Sequence, residues 1–168
     1  MRGWAEADLG QREEGLRQMD EGLSEWRSTG AGLFVPYYLS LKAEAYSDLD
    51  QIEAGLDALG EGLEVTQRTG EVWWNAEIYR RTGILQLRKS TPDEHRAESL
   101  FQEALLLARR QQAKSFELRA AIDLAQLWRD QGKPKDAHDL LRSVYEWFTE
   151  GFETADLKQA KALLDELS

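Results

Sequence analysis

Glu13-Glu14-Gly15-Leu16 and Glu53-Ala54-Gly55-Leu56 stand 40 residues apart. The same interval separates Glu21-Gly22-Leu23 from Glu61-Gly62-Leu63, and Thr29-Gly30 from Thr69-Gly70. A repeat of this period decides the architecture before any single segment is read. Offsets 0, 3, 4, 7, 8 and 11 from each start give Gly15, Gln18, Met19, Gly22, Leu23, Trp26 and then Gly55, Ala58, Leu59, Gly62, Leu63, Thr66. A third copy, two residues late, reads Ala97, Leu100, Phe101, Ala104, Leu105, Ala108, and a fourth reads Ala137, Leu140, Leu141, Val144, Tyr145, Phe148. These offsets trace one buried stripe of a helix with 3.6 residues per turn. The residue at offset 0 is always Gly or Ala, as expected where two helix backbones cross closely.

Each of these second helices should follow a partner. In the fourth copy the partner carries Ala121, Leu124, Ala125 and Trp128, followed by Gly132. Gly132 suits the left-handed residue that ends a helix, and Pro134 suits the first turn of the next. In the second copy the partner offers Leu39, Ala43 and Tyr46; in the third, Tyr79 and Gly83. Thr91-Pro92-Asp93-Glu94 reads as N-cap, N1 proline and N3 glutamate and accounts for the two-residue slip. Pro36, Pro92 and Pro134 are the only prolines, each where a helix could begin, and no segment alternates with the period of a half-buried strand. The class is all-α.

Ala97, Phe101 and Ala104, and the run Ala125, Trp128, Gly132 and Ala137, resemble the signature of the tetratricopeptide repeat (TPR). The resemblance implies a right-handed α-solenoid of antiparallel helix pairs. The TPR period is about 34 residues, so the longer period here implies longer helices. Farther along, Ala108-Arg109-Arg110-Gln111-Gln112-Ala113-Lys114-Ser115, Glu117-Leu118-Arg119-Ala120-Ala121 and Trp147-Phe148-Thr149-Glu150-Gly151-Phe152 resemble the C-terminal repeat region of bacterial class III adenylate or guanylate cyclase–AAA ATPase multidomain signalling proteins. That resemblance implies a regulatory, bacterial context in which any cyclase or ATPase activity belongs to other domains.

The frame divides the chain into a partial repeat 1 at 1–30, repeats at 31–70, 71–112 and 113–152, and a C-terminal capping helix at 153–168. Only about nine residues precede Gly15 for the first partner helix, which reads as the tail of a longer protein and leaves Trp4 and Trp26 partly uncovered. A homodimer through this incomplete repeat is the alternative. At the other end, Thr154 is positioned to cap a helix carrying Leu157, Ala160, Leu164 and Leu167 on one face. Repeat arrays need such a half-polar terminal element.

Composition narrows the function classes. The net charge is −10, and residues 1–70 hold 14 acidic against 6 basic side chains, where residues 71–168 hold 17 against 15. Nucleic acid is excluded as a partner, since phosphate binding needs clustered Lys and Arg; an anionic membrane surface is excluded on the same ground. Cysteine is absent, so there is no disulfide and no thiolate metal site, which fits a cytoplasmic setting. No phosphate loop, nucleophile elbow or dinucleotide fingerprint occurs. His95 and His138 each lie near too few further ligands for zinc. Gly55, Gly60 and Gly62 fall on a helix and read as close packing. Catalytic residues, metal and cofactor are all expected to be none.

By resemblance, the first helix of each pair lines a concave groove. The groove then receives Tyr37, Ser40, Glu44 and Ser47; Glu77, Arg80, Ile84 and Leu87; and Arg119, Ile122, Gln126 and Arg129. Arg80, Arg119 and Arg129 would form a basic strip broken by Ile84 and Ile122. That chemistry suits an acidic or C-terminal peptide. Against it stands local pairing, such as Glu77 with Arg81 at i, i+4. Trp73 and Trp74 point about 100° apart if both are helical, so one of them is expected at an interface. The function expected is a non-catalytic protein–protein interaction scaffold; a small-ligand sensor and a stand-alone self-associating protein are the alternatives.

Overall fold

The computed structural model describes residues 2–30 and 32–168, which contain nine helices and no strand. In order they are α1 (Arg2–Asp8), α2 (Arg12–Ser28), α3 (Val35–Asp48), α4 (Ile52–Thr69), α5 (Asn75–Arg88), α6 (Glu94–Arg110), α7 (Lys114–Asp130), α8 (Pro134–Tyr145) and α9 (Ala155–Glu166). Successive helices pack as hairpins: α1 with α2, α3 with α4, α5 with α6, α7 with α8. Each odd-numbered helix also packs backbone-close to the next odd-numbered one, whereas α2, α4, α6 and α8 stand farther apart and meet only through side chains such as Arg27 and Glu61. The odd helices therefore form the tighter, inner row of an α-solenoid.

The stripe read from the sequence is the core on α4, α6 and α8, whereas on α2 Gly15 and Leu23 are buried and Gly22 and Trp26 are exposed. In α6 all six positions, Ala97, Leu100, Phe101, Ala104, Leu105 and Ala108, are buried. In α8, Ala137, Leu141 and Val144 are buried, and Leu140, Tyr145 and, beyond the end of the helix, Phe148 pack against the same cluster. The small residue at offset 0 lies at a crossing. A Cβ on Gly15 would come within 2.7 Å of the Ala7 backbone nitrogen, and one on Gly55 within 2.9 Å of Leu85 Cδ1. Gly62 is also packed, but a Cβ on Gly60 would meet nothing within 4 Å. The close-packing reading fails for Gly60, which faces away from the neighbouring pair.

Backbone turns follow the same frame. Gly132 has φ +74° between α7 and α8, and Asp50 takes the equivalent place at φ +57°, a conformation Asp tolerates better than most residues. The loop before α6 differs from expectation in detail. The cap is Asp93, whose carboxylate accepts from the Arg96 backbone N–H at 2.9 Å, so Thr91 and Pro92 precede the helix. Thr154 holds the N-cap position of α9, yet its hydroxyl donates to the Gly151 carbonyl instead of accepting from the helix. On α9 the buried face is Leu157, Ala160 and Leu163, with Leu164 and Leu167 half-buried beside it. This helix packs on α7 and α8.

Candidate partner-binding groove

The inner row positions a continuous ionic network across four helices. At its centre is Glu77 of α5, fully buried. Arg80, one turn on, donates to both Glu77 oxygens at 2.9 and 3.0 Å and to Asp123 of α7 at 2.7 Å. Arg81 lies 3.8 Å from Glu77 and 3.0 Å from Glu44 of α3. Arg119 of α7 lies 3.8 Å from Glu77 and donates to Asp156 of α9 at 2.7 Å. Burial works against the Arg80 charge, but Glu77 and Asp123 together hold its pKa above the ordinary arginine value. Burial pushes the Asp123 carboxyl above its usual range, with Arg80 opposing it.

Two recesses open on this network. One, of about 290 Å3, is walled by Ala43, Glu44, Ser47, Arg80, Arg81 and Ile84. The other, of about 340 Å3, is walled by Glu44, Arg80, Arg81, Arg119, Asp123 and Asp156. They share Glu44, Arg80 and Arg81. Nε of Arg81 is buried and has no hydrogen-bond acceptor among the described residues.

The expected groove residues are only partly brought together. Arg80 and Arg119 converge on Glu77, but both already hold carboxylates. Arg129 stands apart at the end of α7, paired with Asp130 at 2.9 Å and Glu166 at 2.8 Å. The expected basic strip is thus a charge-matched network, because an arginine buried without a counter-charge is strongly disfavoured. Ile122 is 2% exposed and belongs to the core with Leu118 and Ala125, and Ile84 packs against the cluster around Phe101. Ile84 also walls the first recess and Ile122 the second. Asp123 and Asp156 are members that the frame did not single out, and Arg81, expected only as the local partner of Glu77, lies 3.8 Å from it. Asp123 lies one turn beyond Arg119, so helical spacing carried a signal for it.

Tyr37 lies elsewhere on the inner row, within an aromatic group. Its ring stacks on Trp73 at 6.1 Å and meets Trp74 edge-on at 4.8 Å; Trp74 in turn meets Phe116 of α7 at 5.1 Å. Neither tryptophan is inside α5, which begins at Asn75, so the helical angle between them does not apply. Trp74 is half-buried, with Nε1 donating to Ser40 Oγ at 2.6 Å, and Trp73 is 39% exposed. Trp4 of α1 is half-buried in a small recess with Trp26.

Solved structures share this arrangement of helix pairs. A kinesin light chain-like protein from Podosopora anserina with nearly identical TPR-like repeats superposes with a TM-score of 0.72 at 14% identity, over 98% of this chain and 81% of that one. BtubC (BKLC) from P. vanneervenii superposes at 0.74 with 21% identity, over 96% and 68%. The fold is that of a TPR-like array. No protein-family model and no curated protein matches the sequence. In this TPR-like array the described residues contain no helix long and apolar enough to cross a membrane, and no group of three or more His, Cys, Asp or Glu placed to hold a metal ion.

Proposed function

We propose that the chain is a non-catalytic protein-interaction scaffold whose inner row receives an extended segment of a partner protein. Its two recesses side by side on α3, α5 and α7 support this reading, and the TPR-like fold is consistent with it. The observation that carries it is Arg81, which lines both recesses and reaches across from α5 to Glu44 of α3 at 3.0 Å. An acidic side chain or C-terminal carboxylate of the partner accepts from Arg81 and Arg119. Because Glu44, Glu77, Asp123 and Asp156 already compensate the arginines, the incoming carboxylate exchanges with residents. Such a site selects partners and sets register more than it adds raw affinity. Exposed Trp73, with half-buried Tyr37 stacked on it, supplies aromatic surface for an apolar residue of the same segment.

The test is a photo-crosslinking residue placed at Glu44 on the inner row or, separately, at Glu64 on α4. Partner capture through position 44 and not 64, abolished by Arg81→Ala, supports the groove. Equal capture through both positions refutes it. The same reading places the array as the C-terminal regulatory region of a larger signalling ATPase or nucleotide cyclase. Its support is the likeness of the segments at 108–121 and 147–152, and the surrounding reading frame of the gene tests it.

A further inference from the structure

The first turns of the inner-row helices are not filled alike. Between α3 and α5 the space is closed by Trp74, the residue that precedes α5. Its indole meets Tyr37 of α3 edge-on at 4.8 Å and Phe116 of α7 at 5.1 Å, and Nε1 donates to Ser40 Oγ at 2.6 Å. Two hairpins on, between α7 and α9, the same place holds smaller residues. Thr154 precedes α9 as Trp74 precedes α5, and Arg119 follows the N-cap of α7 at the interval by which Ser40 follows that of α3. What remains is a recess of about 420 Å3, enclosed by α7, the α8–α9 loop and α9. Leu118, Phe148 and Leu157 give it an apolar wall, with Gly151, Thr154 and Ala155 beside them. Leu118 and Leu157 are core residues, so this wall is fixed.

The recess continues the groove. Arg119 and Asp156 line it together with the neighbouring recess, which in turn shares Glu44, Arg80 and Arg81 with the one beyond. The chemistry changes along this trough: its middle is walled mainly by charged side chains, and its end on α9 by apolar ones. Arg119 stands at the junction. Its Nε donates to Asp156 at 2.7 Å, whereas Glu77 at 3.8 Å lies beyond hydrogen-bond reach. Its terminal nitrogens make no hydrogen bond among the described residues and can donate to an incoming carboxylate. Glu150 lines the recess as well and makes no ion pair among the described residues, so a carboxylate of the occupant belongs on the Arg119 side.

We infer that this recess is the specificity pocket of the groove, and that it takes a large apolar side chain two residues away from the acidic residue held by Arg81 and Arg119. In an extended segment, side chains two apart point to the same face about 7 Å from each other, which suits adjoining recesses. The Trp74 indole over Ser40 is the template within the chain, a large apolar group laid on the same turns of the preceding inner helix. The inference rests on the groove reading above and adds the residue type that stands beside the acid.

The probes are three synthetic peptides with blocked ends: Gly-Ser-Asp-Ser-Leu-Ser-Gly, the same with serine for leucine, and the same with serine for aspartate. Each is titrated into the isotope-labelled full chain and followed by nuclear magnetic resonance. The parent peptide should shift the amide signals of 148–157 as well as those around Arg119. Serine for leucine should weaken binding about tenfold and lose the shifts at 148–157 alone. Ala155→Phe fills the recess from an exposed position. It should bring the parent peptide down to the affinity of the leucine-free one, leave the latter unchanged and not lower the melting temperature. Equal affinity of these two peptides for the wild-type chain, with Arg81→Ala weakening both, overturns the pocket and leaves the groove standing. Unchanged affinity on replacing aspartate, or no binding by any of the three, overturns the groove and the pocket with it.

Discussion

Gly83 and Gly60 are both glycines inside helices, and replacing each with alanine should move stability in opposite directions. A Cβ on Gly83 would sit 2.5 Å from Phe101 Cε1, 2.8 Å from Cδ1 and 3.1 Å from Cζ. Carbon atoms in contact prefer about 3.5–4.0 Å, so the ring or the α5–α6 separation must yield by about 1 Å. The ring has little freedom to do so. Phe101 is fully buried, and Ala97, Leu124, Leu127, Ile84 and Leu87 pack around it. Overpacking of this kind costs about 1–3 kcal/mol, against about 1 kcal/mol gained by replacing glycine in a helix. The net for Gly83→Ala is a loss of about 1 kcal/mol, where Gly60→Ala keeps the gain because its Cβ meets nothing. The two variants should therefore differ by about 2 kcal/mol, or roughly 4–8 °C in melting temperature for a chain of this size. Urea titrations followed by far-ultraviolet circular dichroism, run side by side, measure it. In a Phe101→Leu background the Gly83→Ala penalty should shrink, which a double-mutant cycle reads directly. If Gly83→Ala matched Gly60→Ala in stability, the close crossing of α5 and α6 would be wrong.

Glu77→Ala removes the carboxylate shared by Arg80, Arg81 and Arg119 and leaves Arg80 largely buried with Asp123 alone. It should cost about 3–5 kcal/mol, and an unchanged urea midpoint would contradict the network. Ser40→Ala strips the acceptor from the Trp74 indole N–H and should cost about 1–3 kcal/mol, accompanied by a change in tryptophan emission. The Glu117 carboxyl is buried, which alone would raise its pKa, but Lys114 at 2.7 Å and Arg109 at 2.8 Å bring it below the ordinary value of 4.5. Its stabilisation is present above that pH and is lost as the pH falls through the depressed folded-state value. Melting temperature should therefore decline below about pH 4.5, and less steeply in Glu117→Gln; an equal decline in both would argue against the pairing. Glu14, held down to about 2 chiefly by its hydrogen bond to Arg17, adds to the same acid limb from an exposed position.

Much of the fold was legible because packing writes a period into the sequence. Ala97, Leu100, Phe101, Ala104, Leu105 and Ala108 stand on one helical face, and that face is the one buried. The turn at Gly132 was legible because a left-handed backbone narrows the choice of residue. The start of α6 was less so: Thr91-Pro92-Asp93-Glu94 fits a cap at Thr91, and only the geometry that brings the Asp93 carboxylate to the Arg96 N–H moves the cap two residues on. Gly60 misled for a related reason, since glycine spacing alone does not say which face of α4 meets a neighbour.

The groove marks the limit of such reading. The resemblance to the TPR implied an α-solenoid whose inner row carries arginines. Sequence by itself determined helix pairs with a period of about 40 residues and the buried side of α4, α6 and α8. Those follow from local propensity and periodic hydrophobicity, properties each segment holds alone. Only the tertiary structure decided that Arg80 and Arg119 share Glu77 with Arg81, that Arg129 pairs away at α9, and that Ile122 faces the core. Ion pairing between helices depends on through-space distances of a few ångströms between residues tens of positions apart. Those distances are set by the stacking of pairs and by no pattern within one of them.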